Sequence, residues 1–199
     1  MKGMLMIDIY DYPILKDHRS SLKETSIDHH HDNNVSFLTD STLPAVNFDE
    51  VKNDYIKKLG VIEAPKSVDA LLYNINGDMY FIEFKAGNIT NKEYAVRGKV
   101  LNSLLIYMDI IKKTADFTRS NLSLIVVYRE EKNPIYNDLK SSIQRSDSRM
   151  EIINKISEKA KKPFVRFGLD IFSKLYFKQV YTYTIEEFEK NFISSFKGV

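Results

Sequence analysis

The segment from Val68 to Lys85 constrains the fold more than any other part of the chain. It holds two runs rich in aliphatic and aromatic side chains, Val68–Tyr73 and Met79–Lys85, and such runs favour β-strands. Between them lies Asn76-Gly77, a pair that suits the positive φ angles of a tight turn. The pattern predicts an antiparallel hairpin whose second strand ends in two opposite charges.

Glu83 and Lys85 lie two positions apart, and side chains alternate across a strand. We therefore expect both to point to one face, while Phe84 points to the other. If the Asn-Gly pair is the centre of the hairpin, Asp69 faces Phe84 and has Glu83 and Lys85 as lateral neighbours. A one-residue shift in register would move Asp69 by one place. The hairpin thus predicts two carboxylates and one ammonium group at the same end.

This grouping of side chains indicates a particular chemistry. Two neighbouring carboxylates repel each other unless a cation lies between them. Asp69 and Glu83 offer hard oxygen ligands, which suit Mg²⁺ or Mn²⁺. Lys85 could position or deprotonate an attacking water, or neutralise charge that develops on a phosphate. The chain has no cysteine, so a Cys-ligated metal site and a disulfide framework are both excluded.

The tripeptide Ser67-Val68-Asp69 and the strand Phe81-Ile82-Glu83-Phe84-Lys85 together resemble the signature of the PD-(D/E)XK nuclease superfamily. That superfamily includes restriction endonucleases, Holliday-junction resolvases, and phage or repair exonucleases. The 13 residues between Asp69 and Glu83 suit a hairpin that links the two halves of the signature. The likeness runs from Asn47 to Tyr128, a little under half of the chain.

The resemblance implies a restriction-endonuclease-like α/β core, with a central mixed β-sheet flanked by helices. It also implies that Asp69 and Glu83 bind the metal, that the backbone carbonyl of Phe84 is a further ligand, and that Lys85 acts at the water.

The chain departs from the family pattern at several points. Val68 stands where the signature has proline. The acid that many members carry on the helix before the hairpin has three candidates here, Asp49, Glu50 and Asp54. Little room is left between that helix and Asp69 for a full first strand. The helix after the signature lacks the Gln-x-x-x-Tyr element of the exonuclease branch.

Outside the hairpin, the pattern predicts alternating helices and strands in one domain spanning 1–199, with a motif-bearing core at 47–128. Residues 16–47 lack periodicity and are predicted to be irregular. Asn47 and Glu50 resemble a capping box that opens a helix ending near Gly60. The further predicted elements are a long buried helix from the Thr90–Glu93 capping box to about Phe117, a central strand Leu122–Tyr128, a charged helix over 135–160, and a small extension made of strands Phe164–Leu169 and Leu175–Tyr183 and a helix from the Thr184–Glu187 capping box to about Phe196.

The distribution of apolar and charged residues indicates where in the cell the protein is located. The N-terminal apolar run is broken by Asp8 and Asp11, which is unlike a signal peptide. No run approaches the ~18 apolar residues of a membrane span, so we expect a cytoplasmic protein without membrane association.

The net charge is +2. Acidic residues outnumber basic ones by three in residues 1–99, and basic residues lead by five in 100–199, which fits either a phosphate-facing second half or solvated helix faces.

Three other groups are weaker candidates. The run His29-His30-His31 could bind a transition metal, but a polar loop is the better interpretation. Arg97 and Lys99, early in the long helix, could touch a backbone phosphate or form salt bridges. The basic residues over 145–162 could extend a nucleic-acid track, although interleaved acids favour a solvated helix.

The leading hypothesis is a divalent-metal-dependent nuclease, with Mg²⁺ or Mn²⁺ as its cofactor and nucleic acid, DNA more than RNA, as its substrate. The alternative is a non-catalytic nucleic-acid-binding or protein-interaction module that keeps the nuclease fold. A homodimer is left open.

Overall fold

The computed structural model describes residues 9–28, 35–89, 92–134 and 165–196. It shows an α/β fold with a central, mixed, six-stranded sheet flanked by helices, which confirms the predicted class. The strands are β1 (Arg19–Ser21), β2 (Ile27–Asp28), β3 (Ser36–Phe37), β4 (Pro44–Asn47), β5 (Ala70–Tyr73), β6 (Met79–Lys85), β7 (Leu122–Tyr128) and β8 (Val180–Thr184). The helices are α1 (Pro13–Lys16), α2 (Leu22–Thr25), α3 (Phe48–Lys58), α4 (Glu93–Ile111), α5 (Ala115–Asn121) and α6 (Ile185–Asn191), with short 3₁₀ turns at Ile9–Asp11, Glu130–Lys132, Asp170–Phe172 and Ile193–Ser195.

The sheet has the order β1-β4-β5-β6-β7-β8. The pairs from β1 to β6 are antiparallel, whereas β6, β7 and β8 run parallel. Lys85, the last residue of β6, is paired with Tyr128, the last residue of β7. The strands β2 and β3 form a separate two-stranded ribbon. Because β6 and β7 end together, the charged end of the hairpin lies beside the carboxyl end of a parallel strand.

Both faces of the central sheet are covered. All seven residues of β7 are buried, as expected for a strand at the centre of an α/β sheet. One face packs on side chains of α3 and α4, including Phe48, Val100 and Tyr107. The other face packs on Phe188 of α6. The described part of the chain therefore has three layers, with a separate hydrophobic core on each face of the sheet.

Aromatic rings fill the core beneath α3 and α4. Phe81 contacts Phe48, Tyr107 and Phe177 edge to face, with ring centroids 4.9, 5.5 and 6.3 Å away. Edge-to-face contacts suit the ring quadrupoles. Helix α3 begins with Phe48, directly after its N-cap Asn47, whose Oδ1 accepts a hydrogen bond from Glu50 N at 3.2 Å. This bond is the half of the predicted capping box that the structure shows, and it stands next to the first ring of the aromatic layer.

The prediction of an irregular segment at 16–47 was wrong for much of its described part. Two strands of the central sheet, β1 and β4, and the ribbon β2–β3 lie there. Ser21 begins α2 with a capping box, in which Ser21 and Glu24 exchange hydrogen bonds. These elements have two to four residues each, too short for a periodic pattern to be seen. Residues 29–34, with the histidine run, lie outside the described part.

The long helix is shorter than predicted. It begins at Glu93 after Lys92, which caps it without a side-chain bond, and ends where Lys112 takes a left-handed backbone, φ 53°. Thr90 and Asn91 lie outside the described residues. A separate helix, α5, then leads to β7.

The C-terminal extension also differs from the prediction. Residues 165–169 form a turn and no strand, because Phe167 and Gly168 have φ angles of 61° and 60°. The last strand begins only at Val180, and the last helix ends at Asn191. Its predicted capping box is confirmed, since Thr184 and Glu187 exchange hydrogen bonds. The predicted helix over 135–160 lies outside the described residues.

Arg166 joins two distant points of the chain. Its guanidinium donates to the carbonyl oxygens of Asn133 at 2.7 Å and Pro134 at 3.2 Å. It also lies over the rings of Tyr128 and Phe167, 4.7 and 4.8 Å from their centroids. The buried side chain thus ties the segment after β7 to the segment before β8.

Among the described residues, no helix is both long and apolar enough to cross a membrane.

The first prediction concerns the aromatic core. Replacing Phe81 with alanine should destabilise the protein by about 3–5 kcal/mol, because the fully buried ring leaves a cavity between α3, α4 and the sheet. Chemical denaturation would measure the loss. Tyr94→Ala, at a ring that is 82% exposed, is the control and should cost less than about 1 kcal/mol. Equal losses for the two variants would contradict this account of the core.

Candidate functional site

The hairpin has a different register from the predicted one. Ala70 pairs with Ile82, and Tyr73 pairs with Met79. Asn74 N then donates to Asp78 O at 3.0 Å, and Gly77 takes the positive φ, 83°. The loop therefore has three residues, 75–77, where a two-residue turn was expected. An odd loop shifts the pairing by one place, and this register, continued past β5, brings Asp69 opposite Glu83 instead of Phe84.

Asp69 is bound to the strand beside it through both backbone and side chain. Its N–H donates to Ile82 O at 3.1 Å, and its Oδ2 accepts a hydrogen bond from Phe84 N at 2.5 Å. Its carbonyl accepts from Phe48 N at 3.1 Å, which ties the same residue to the start of α3. These bonds leave Oδ1 as the carboxylate oxygen that can serve another partner.

Glu83 lies at the centre of a cluster of four charged side chains. Its Oε1 is 2.5 Å from Lys85 Nζ and 2.8 Å from Lys99 Nζ. Lys99 Nζ also lies 3.7 Å from Asp69 Oδ1. Asp69, Glu83, Lys85 and Lys99 are called the carboxylate–lysine cluster below. The structure thus brings the three sequence-predicted residues together and adds a second lysine.

Exposure within the cluster is graded. The Glu83 side chain is fully buried, whereas those of Asp69, Lys99 and Lys85 are 17, 19 and 25% exposed. Glu83 Oε2 is buried and, within the described part of the chain, has no hydrogen-bond partner. A buried acceptor left without a partner costs about 1–3 kcal/mol. The cluster therefore has a buried acidic centre that is incompletely satisfied and a rim that reaches solvent.

Helix α4 places Lys99 in the cluster. Val96, Val100 and Ser103 are buried on the side of α4 that faces the sheet, and the Lys99 ammonium reaches the carboxylates from the same helix. Ser103 Oγ accepts from Val68 N at 2.8 Å, which fixes the helix to the residue before Asp69. For Lys99 the structure therefore shows the salt-bridge alternative. A lysine between buried helix positions was the signal in the sequence for this role.

The charges of the cluster perturb one another. Burial, followed by the neighbouring Glu83 carboxylate, raises the pKa of Asp69 well above its usual value, although Lys99, the Phe84 N–H and Lys85 oppose the shift. Burial acts against the charge on Lys99, but Glu83 and then Asp69 outweigh it and raise the pKa of Lys99. Ionising the Asp69 carboxyl is thus costly in the folded protein.

The three acids on helix α3 have separate environments. Asp54 is paired with His18, with Oδ2 3.0 Å from Nε2. Glu50 is exposed, and its backbone donates to Asn47. Asp49 accepts a hydrogen bond from Ser67 Oγ at 2.5 Å, and its charge contributes to the raised pKa of Lys99. Asp49 is therefore the helix acid that acts on the cluster.

Oxygen donors for a hard cation exist, but they are few. No group of three histidine, cysteine, aspartate or glutamate side chains that could hold a metal occurs among residues 9–28, 35–89, 92–134 and 165–196. Asp69 Oδ1 and Glu83 Oε2 are the carboxylate oxygens of the cluster not engaged by a close hydrogen bond. The ring of Phe84 points away and packs on Phe188, 6.0 Å between centroids, so only its backbone could serve the cluster.

Arg97, a sequence candidate within the described residues, has its contact away from this site. Arg97 Nη2 donates to Gly168 O at 2.7 Å and thereby supports the turn before β8. The basic residues over 145–162 lie outside the described chain.

Comparison with known proteins gives no assignment: no family model, curated protein or solved structure matches this chain.

The second prediction follows from the raised pKa of Asp69. A folded-state pKa above the unfolded value means that the folded protein holds this proton more tightly, so stability falls as pH rises through the interval between the two values. An asparagine side chain at this position cannot ionise. In metal-free buffer, Asp69→Asn should therefore melt at a higher temperature than the wild type near pH 7.5, and the difference should shrink toward about pH 4.

Thermal unfolding followed by circular dichroism across this pH range would test it. Asp170→Asn, at an exposed position, serves as the control and should show no such pH-dependent difference. A wild type that is the more stable protein at every pH would contradict the assigned cost of ionising Asp69.

Proposed function

We propose that the chain is a divalent-metal-dependent nuclease with a restriction-endonuclease-like core, acting on phosphodiester bonds in nucleic acid, DNA more than RNA. One observation carries the proposal. The Asp69 and Glu83 carboxylates, separated by 13 intervening residues, converge on the same ammonium group, with Lys85 beside them. Two carboxylates close enough to share one cation can supply two ligands to a catalytic metal ion.

The donor set supports a hard divalent ion. Asp69 Oδ1 and the orphaned Glu83 Oε2 are oxygen ligands of the kind that Mg²⁺ and Mn²⁺ prefer, and the backbone carbonyl of Phe84 is proposed as a third. Bound there, the ion would supply Lewis acidity toward a phosphoryl oxygen and toward water. An incompletely satisfied buried carboxylate beside a half-open rim is a reason to expect a ligand at this place.

The residues of the chain have separable tasks in this proposal. Asp69 and Glu83 hold the ion, and the bond from Phe84 N keeps Asp69 in place. Lys85, at the open end of β6, lies on the solvent side of Glu83. Its ammonium can orient the attacking water or stabilise the charge that builds on the phosphate.

The order of elements adds support for the fold assignment. Helix α3 is followed by the hairpin β5–β6, helix α4 and the parallel strand β7. The strand that would precede the signature is supplied from before α3, because β4 pairs antiparallel with β5. The sheet next to the signature thereby has an antiparallel strand despite the short connection from α3.

The third prediction is the enzymatic one. With Mg²⁺ or Mn²⁺, the purified chain should degrade at least one of linear, circular, branched or single-stranded DNA, or RNA. Glu83→Gln and Lys85→Ala should each lower the rate by ~10²-fold or more, since one removes a ligand charge and the other a group beside the reacting water. Gel-based cleavage assays would measure this.

Lys58→Ala, at an exposed position of α3, is the matched control and should retain the wild-type rate. EDTA should abolish activity. Cleavage that survives both site substitutions would come from another source and would refute the assignment. The absence of cleavage on every substrate would favour a non-catalytic nucleic-acid-binding module instead.

The second candidate is a non-catalytic nucleic-acid-binding module. Lys85 and Lys99 together match the two carboxylates in charge, so the cluster can be balanced without a metal, and this favours a structural role for it.

The fourth prediction distinguishes this candidate. If the protein only binds nucleic acid, affinity should fall with added salt, since phosphate contacts release counterions. Asp69→Ala should leave binding unchanged or strengthen it, because it removes a negative charge. Fluorescence anisotropy with labelled DNA at several salt concentrations would measure both effects. Affinity that ignores salt would argue against a nucleic-acid ligand and favour a protein partner.

A further inference from the structure

Lys99 contacts both of the carboxylates that are proposed to share a divalent cation. Its Nζ lies 2.8 Å from Glu83 Oε1 and 3.7 Å from Asp69 Oδ1. Lys85, by comparison, pairs with Glu83 alone in the described chain. Lys99 is therefore the one described side chain that contacts both proposed metal ligands with a positive charge.

The backbone that carries Lys99 is held in place, whereas its side chain is in part open to solvent. Val96 and Val100 are buried on either side of it in sequence, and Ser103 holds this turn of α4 to Val68. The Lys99 side chain is 19% exposed, so the end of this flexible side chain can turn toward solvent while the helix stays in place. An ammonium and a divalent ion repel strongly at a separation of about 4 Å.

We propose that Lys99 is a built-in competitor for the divalent cation: it bridges Asp69 and Glu83 in the metal-free protein and must leave the bridge when the ion enters. This inference rests on the metal site of the proposed function and adds a regulation to it. Lys99 lowers metal affinity, and in exchange it keeps the two buried carboxylates compensated when no metal is bound.

Binding of Mn²⁺ to the full-length chain tests the proposal without any activity assay. After removal of metal with EDTA and dialysis, the free Mn²⁺ signal in electron paramagnetic resonance gives the Kd for each variant. Lys99→Met should bind Mn²⁺ about tenfold or more tightly than the wild type, because a positive charge beside the ion is removed. Its melting temperature should be lower than wild type without Mn²⁺ and should rise more on addition of Mn²⁺.

Two further variants make the comparison specific. Lys58→Met removes the same charge from an exposed position of α3 and should leave the Kd unchanged. Lys99→Gln also removes the charge but keeps a hydrogen-bond donor near Glu83. It should show the same decrease in the Kd for Mn²⁺, and it replaces the methionine variant if that variant folds poorly. Asp69→Ala, combined with Lys99→Met, should abolish the gain.

The outcomes separate this inference from the proposed function. If the wild type binds Mn²⁺ through Asp69 and Lys99→Met binds it equally or more weakly, the competitor role is overturned and the metal site stands. If only the Lys99 variants bind Mn²⁺, and do so through Asp69, the competitor role holds and the metal-dependent nuclease fails. If no variant binds Mn²⁺, the competitor role is overturned as well.

Discussion

Glu83 carries a carboxylate at the end of a strand whose neighbouring side chains are phenylalanine and isoleucine, and solvent does not reach it. A buried, unpaired carboxylate is too costly for a domain of ordinary stability, so the surrounding structure has to supply positive charge. Two lysines supply it, one from the same strand and one from α4. Helix α4 lies over this end of the sheet and thereby brings the Lys99 ammonium to Glu83. The same ammonium also lies near the Asp69 carboxylate.

Helix α4 consequently has two roles that cannot be varied independently. Its apolar side chains close the aromatic core under the sheet, and its polar ones, Lys99 and Ser103, hold the end of the hairpin. A change that rotates the helix to improve the core would withdraw the ammonium from the carboxylates. The position of α4 therefore has to satisfy the core and the charged cluster together. It leaves one buried atom of the cluster, Glu83 Oε2, without a hydrogen-bond partner in the described chain.

Local patterns in the sequence predicted the hairpin, the buried β7 and the meeting of Asp69, Glu83 and Lys85, because alternation and turn chemistry act over a few residues. The register was missed by one place, since it depends on whether the loop closes with two residues or three. Strands β1 and β4 were missed because they are stabilised by their sheet neighbours and not by a pattern of their own. The pairing of Lys99 with both acids depends on how α4 packs, which no short window contains.

The bonds from Arg166 to Asn133 and Pro134 have a consequence for the architecture of the C-terminal half. They hold Asn133 and Pro134, which follow β7, to Arg166, which precedes β8, so that points 33 and 32 residues apart in sequence are joined at the edge of the core. The same guanidinium lies over the rings of Tyr128 and Phe167, so its hydrogen bonds and its ring contacts depend on one side chain. Arg166 thereby acts as a non-covalent cross-link between the chain that leaves β7 and the chain that enters β8.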